Sequence, residues 1–77
     1  MAVKKTMTRC ELLCEARRQT KMNRREFAEF FGIPYRTVQD WERGIRNMPT
    51  YVLRLMIYRL EIEKMTKGLD KVVIIES

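Results

Sequence analysis

Gly32-Ile33-Pro34-Tyr35-Arg36-Thr37-Val38-Gln39-Asp40-Trp41-Glu42-Arg43-Gly44 is the stretch whose reading decides the fold. It opens on a glycine suited to the left-handed conformation that ends a helix, and it closes on a second one. Pro34 fits the start of a helix, because the N–H it lacks has no partner in a first turn. The segment between reads as one short helix. Val38 and Trp41, three apart, form an inner stripe and leave Tyr35, Arg36, Gln39 and Asp40 outside. A short helix with a polar tip, held by a turn against a preceding amphipathic helix, is a way to present side chains to the major groove of DNA.

Upstream of this run, Asn23 and Glu26 have capping-box spacing. They open a short helix reaching to about Phe31, with Phe27, Ala28 and Phe31 inward. Thr8 and Glu11 form another such box, which predicts a first helix from about Arg9 to Thr20. Leu12, Leu13, Ala16 and Thr20 make its inner stripe. Residues 1–7 read as a short arm.

Downstream, Ile45 to Met48 is a loop, and Pro49-Thr50 opens a fourth helical segment with no Gly or Pro until Gly68. It reads as one helix of about 18 residues or as two helices with a bend. Val52, Leu53, Met56, Ile57 and Leu60 suit a core face. Leu55, Tyr58, Ile62 and Met65 make a second apolar stripe, which suggests a face that meets another chain. Val72-Val73-Ile74-Ile75 is strongly β-favouring. Nothing else in the chain reads as a strand, and a lone strand has no ladder of its own. Two readings stand: a tail packed on the domain or left without structure, and a strand that pairs antiparallel with its copy in a second subunit. The resulting division is an arm (1–7), a helical domain (8–66) and a tail (67–77) that includes the dimerisation strand of the second reading.

The chain has 77 residues, enough for one small domain, and 45% of them are apolar. It has no apolar run of about 18 residues that would span a membrane. The start of the sequence lacks the apolar segment of a signal peptide, so a cytoplasmic location is expected. The net charge is +6 and uneven. Residues 1–46 hold 11 basic and 6 acidic side chains; residues 47–77 hold 5 and 4. A basic half favours a polyanionic partner. By default Arg18, Lys21 and Arg25 are ordinary surface charges. Cys10 and Cys14 are the only cysteines and the chain has no histidine, so no zinc site and no disulfide framework are expected. There is no glycine-rich phosphate loop and no nucleophile elbow, and a cysteine without a visible base is a poor nucleophile. No enzyme, metal or cofactor is expected.

Residues 8 to about 60 resemble the lambda-repressor-like helix-turn-helix family of Cro and the phage repressors. The resemblance rests on Met22-Asn23-Arg24-Arg25-Glu26-Phe27-Ala28, Phe31-Gly32-Ile33, Thr37-Val38 and Trp41-Glu42-Arg43-Gly44. It implies an all-α, compact four- or five-helix DNA-binding domain, here with a short C-terminal β-strand, and a third helix (Pro34–Arg43) in the major groove. By the same resemblance Tyr35, Arg36 and Asp40 face bases, and Asn23, Arg24, Thr37, Arg43 and Arg46 meet the backbone. Ala28 allows close helix crossing and Gly32 makes the turn, while Val38 and Trp41 pack inward. Glu42 pairs with Arg17 of the first helix. The base-facing residues keep alternatives. Tyr35 suits a thymine methyl, a phosphate, or simply cover for the turn. Asp40 suits a cytosine N4 group, or an ion pair with Arg36 four residues earlier, the favoured reading.

Together these readings describe a sequence-specific DNA-binding regulator, a repressor from a bacterium, phage or mobile element. It acts as a homodimer on an inverted repeat, joined through Leu55, Tyr58, Ile62, Met65 and Val72–Ile75. The alternative is an antitoxin or other interaction module whose C-terminal half binds a partner protein.

Overall fold

The computed structural model of the protein describes residues 5–75; the expectations for the ends of the arm (1–4) and of the tail (76–77) lie outside the described residues. Four helices follow one another: α1 (Arg9–Thr20), α2 (Arg24–Phe31), α3 (Tyr35–Arg43) and α4 (Thr50–Ile62). Strands β1 (Thr6–Thr8) and β2 (Val73–Ile75) flank them, and a short 3-10 turn (Leu69–Lys71) precedes β2. The fold is mostly helical, with a small two-stranded parallel sheet.

The helix starts follow their capping chemistry. Thr8 Oγ1 accepts from the Glu11 N–H at 3.2 Å, and the Glu11 carboxylate accepts from the Thr8 N–H at 2.9 Å. Asn23 and Glu26 repeat the exchange at 2.8 and 2.9 Å. Each box satisfies two N–H groups that a helix start otherwise leaves without partners.

The core gathers Leu12, Leu13 and Ala16 of α1, Phe27 and Ala28 of α2, Val38 of α3, and Leu53, Met56, Ile57 and Leu60 of α4. Met48 from the loop and Leu69 and Val72 from the tail complete it. Burying a side chain of this size contributes about 1.5–3 kcal/mol, so this cluster is the main source of cohesion in a small domain. Phe31, Trp41 and Val52, expected inside, are half-buried and pack against its edge.

Three expectations about the C-terminal third are corrected. First, the fourth helix is neither 18 residues long nor bent. It ends at Ile62, and Lys64 takes a left-handed φ of 60°. The Met65 N–H reaches back to the Leu60 carbonyl and the Lys64 N–H to Glu61, the two bonds of a Schellman ending. A helix can therefore stop at a residue that is neither Gly nor Pro. Second, Met65 does not continue the outer stripe. It lies beyond this turn and packs against the core. Third, the C-terminal strand is not alone. Val73–Ile75 pairs with Thr6–Thr8 in parallel register, with Thr6 opposite Val73 and Thr8 opposite Ile75. Val72, expected in the interface strand, is buried in the core instead.

The chain after α4 is held in place by polar bonds. The Glu61 carboxylate accepts from the Thr66 hydroxyl at 2.6 Å and from the N–H groups of Gly68 and Leu69 at 3.0 and 3.3 Å. The Lys67 N–H donates to the Gln19 side chain of α1 at 3.1 Å. These bonds carry the tail across the domain to β1, and the four helices between the two strands supply the long connection that parallel pairing needs.

Candidate nucleic-acid interface

The α2–turn–α3 unit is built from the residues that suggested it. At Gly32 the backbone takes φ 69°, its N–H bonds to the Glu29 carbonyl, and the Ile33 N–H bonds to Ala28. A side chain at this φ would be strained. Pro34 then sets φ at −57°, and its carbonyl accepts from Thr37 and Val38. It opens α3 without a side-chain cap. Ala28 is 2% exposed in the helix that packs against α3. At the far end Gly44 takes φ 77°, and a Cβ there would lie 3.4 Å from the Cys10 sulfur of α1. The conformation is what calls for glycine, since a Cβ at that distance from the sulfur would make an ordinary contact.

Beneath this unit lies an ion cluster. The side chain of Glu42 is 1% exposed. Arg17 Nε donates to its Oε2 at 2.7 Å, and Arg17 Nη2 to its Oε1 at 3.2 Å. Arg24 Nε donates to the same Oε1 at 2.8 Å, and Arg17 Nη1 also reaches the Met22 carbonyl at 3.3 Å. One carboxylate thus ties α1, the start of α2 and α3 together. Burial acts to raise the pKa of Glu42, but hydrogen bonds and charge from Arg17 and Arg24 outweigh it, and the net shift is downward. The Arg24 guanidinium shifts upward, first because of its bond to Glu42.

The outer surface carries the reading candidates. Tyr35 is 37% exposed, Arg36 is exposed, and Thr37 and Asp40 are half-buried. Asn23 is exposed at the start of α2, and Arg43 and Arg46 are exposed at the far end of α3. The structure brings Tyr35 to Arg24 and Arg25 in the first turn of α2, and Arg36 follows Tyr35 along α3. Arg43 and Arg46 lie at the opposite end of α3, where the Arg46 N–H bonds to the Asp40 carbonyl.

The favoured Arg36–Asp40 ion pair is not present among the described residues. The acid follows the base along the helix, which is the weaker order for such a pair. Two contacts are new. Arg24 was expected only at phosphate, yet it is also a ligand of Glu42. Arg25, read as a surface charge, stacks its guanidinium over the Tyr35 ring, 5.0 Å from the centroid. The Arg25–Tyr35 contact joins the first turns of α2 and α3, whereas the Arg24–Glu42 contact joins the first turn of α2 to the last turn of α3, and neither is visible from local sequence.

Elsewhere the chemistry is sparse. Cys10 and Cys14 are free thiols. Burial, followed by the nearby Glu42, pushes the Cys14 thiol up, away from the reactive thiolate. Among the described residues no three His, Cys, Asp or Glu side chains gather to hold a metal ion. None of the described helices is long and apolar enough to cross a membrane.

A two-helix reader packed on a supporting helix defines a helix-turn-helix domain. Comparison with family models agrees: the helix-turn-helix family HTH_3 matches residues 15–53, from the middle of α1 into α4. The chain belongs to this Cro/C1-type, lambda-repressor-like family, whose membership implies DNA binding. Neither the search of curated proteins nor the search of solved structures returns a match.

Proposed function

We propose that this protein is a transcriptional repressor that binds an inverted-repeat operator as a homodimer, with α3 in the major groove of each half-site. The observation that carries this reading is the exposed start of α3. Tyr35 and Arg36 stand there beside the basic start of α2, on a helix that Glu42 holds rigidly from behind. Arg36 reads guanine through O6 and N7, the pairing that suits a guanidinium. Asp40, free of Arg36, accepts from a cytosine N4 group one turn later. Asn23, Arg24, Thr37, Arg43 and Arg46 grip the phosphates, which supply most of the affinity.

The homodimer reading is supported by α4. Tyr51, Leu55, Tyr58 and Ile62 are between 60% and 71% exposed and lie along one side of that helix. Such a contiguous apolar stripe is unusual on a monomer. Its spacing of four, three and four residues reads the same in both directions. Antiparallel pairing of two copies of α4 therefore sets Tyr51 against Ile62 and Leu55 against Tyr58. To read an inverted repeat, that twofold dimer has to hold its two α3 helices about 34 Å apart, one turn of DNA.

Selection of bound duplexes from a random pool tests the reading. An enriched inverted repeat supports it, and a pool that stays random after several rounds overturns it. The same stripe also favours a second reading, an antitoxin-like module that covers another protein. Light scattering on the purified chain separates the two: the repressor reading requires a dimer, whereas a monomer that DNA does not convert favours the interaction module.

A further inference from the structure

We infer that Arg25 is a specificity-determining residue of the α3 surface: stacked on Tyr35, it fixes the direction in which that ring meets a base edge and carries its own donors to the adjacent phosphate. This deepens the DNA-binding reading above and rests on it.

Glu29 lies one helical turn beyond Arg25, on the same side of α2, yet no ion pair joins them among the described residues. Arg25 lies over the Tyr35 ring instead. The contact with the ring rests on the charge of the guanidinium and uses none of its N–H donors as a conventional hydrogen bond. No hydrogen bond occupies those donors among the described residues. Arg24 differs, because Glu42 already neutralises much of its charge.

Position adds a second argument. Arg25 sits in the first turn of α2, at the positive end of the helix dipole, where a cation is disfavoured. The acidic residue of that turn, Glu26, is engaged in capping the Asn23 N–H. The helix itself gains nothing from a positive charge here. A phosphate at this point relieves both the dipole and the guanidinium.

Tyr35 supplies the third argument. It is the first residue of α3, and more than a third of its surface is open. Arg25 lies over its ring and Arg24 interacts with the same side chain, so what orients Tyr35 comes from the start of α2. A ring free to rotate contacts bases indiscriminately. A ring clamped by a planar cation presents one edge, and that converts contact into discrimination.

The test uses the full chain and the duplex enriched from the random pool. Binding is measured for the parent, Arg25→Ala, Arg25→Lys, Tyr35→Phe and the double variant Arg25→Ala/Tyr35→Ala. Each is titrated at two salt concentrations against the selected duplex and its single-base variants, and circular dichroism confirms that each is folded. Arg25→Ala should weaken the selected complex about three- to fivefold, flatten the preference at one base pair, and reduce the salt slope by about one phosphate. Arg25→Lys should restore the salt slope but not the base preference. Tyr35→Phe keeps the ring and should keep the preference. The double variant should show no flatter preference than Arg25→Ala alone.

Unchanged base preference in Arg25→Ala overturns the inference, as does full restoration by lysine. In both outcomes the parent still prefers its duplex, so the DNA-binding reading survives. A parent that prefers no duplex overturns both.

Discussion

Helices α3 and α4 each turn one face out of the domain, and the two faces are opposites. The face of α3 is polar and supported from behind. A buried carboxylate and two arginines fix the helix, and a stacked arginine holds its first side chain. The face of α4 is apolar, with Tyr51, Leu55, Tyr58 and Ile62 open to water. Arg59 turns away to lie over Phe30 at 4.4 Å and to pair with Glu63 at 2.9 Å, while Arg54 and Asp70 stand beside Tyr51, Leu55 and Tyr58 at the edge of the stripe. The contrast separates two ways of being unfinished. A polar face is content in water and gains from a partner mainly through charge, whereas an apolar face is costly in water and gains from being covered. The first suits a charged, hydrated polymer, and the second suits another folded protein surface.

The sharpest way to break the support of α3 is to remove its anchor. Glu42→Ala leaves two arginines facing a buried gap with no counter-charge. It should destabilise the fold by about 3 kcal/mol, the lower end for a broken buried pair because both arginines keep some contact with water. Urea unfolding measures this. The same anchor predicts a pH dependence. The folded-state pKa of Glu42 lies below its ordinary value of 4.5. Its contribution is therefore complete above the unfolded pKa and is lost as pH falls through the lower, folded one. The parent should lose stability on acidification below about pH 4.5, and the gap between it and Glu42→Gln should narrow there. A gap that stays constant into strong acid means that the carboxylate charge is not what holds α3.

The α4 face is broken by a charge at its centre. Leu55→Asp should leave the monomer folded, since Leu55 is 64% exposed, yet abolish the dimer. Loss of the second half-site should then weaken binding to an inverted repeat about 100-fold while sparing binding to a single half-site. Sedimentation and a gel-shift titration measure the two effects. If Leu55→Asp stays dimeric, the α4 stripe is not the interface.

Discrimination at α3 depends on single side chains. Arg36→Ala should lose about 1–3 kcal/mol of preference at one base pair, with little change in its affinity for random duplex. A competition titration against duplexes altered at each position measures it. An unaltered preference removes Arg36 from the reading surface.

How far the sequence foretold these faces depends on how local the signal is. The α2–α3 unit was legible because its determinants lie within a few residues of one another. Two capping boxes, Gly32, Pro34 and Gly44 act on their own neighbourhoods, and the helix limits follow. The Glu42–Arg17 contact spans 25 residues and was available only through the family resemblance. Arg24 and Arg25 were half-read, since their partners, Glu42 in the last turn of α3 and Tyr35 in its first, become neighbours only when α3 packs against the start of α2. The tail was misread for a similar reason. Thr6-Met7-Thr8 is too short to show a strand pattern, and one of its residues also caps α1. Only the folded chain brings it beside Val73–Ile75. Lys64 carried no sign of its left-handed turn, so Met65 was placed on the wrong side.

The smallest expected effect bears on the boundary between the two kinds of support. Arg24 belongs to both the buried anchor and the phosphate-facing start of α2, and its side chain is 38% exposed. If it contacts a phosphate, Arg24→Ala should reduce the slope of log affinity against log salt by about 0.9 for every duplex, specific or random. If it serves only Glu42, the slope should stay the same and unfolding should begin at lower urea. Arg24→Lys sharpens the distinction. A lysine preserves the charge that a phosphate senses, but it lacks the planar fork with which Arg24 and Arg17 share one carboxylate. A normal salt slope with reduced stability in the lysine variant therefore assigns both roles to Arg24. It also makes the anchor of α3 and its electrostatic grip on DNA one connected structure, whereas the apolar stripe of α4 stands apart from both.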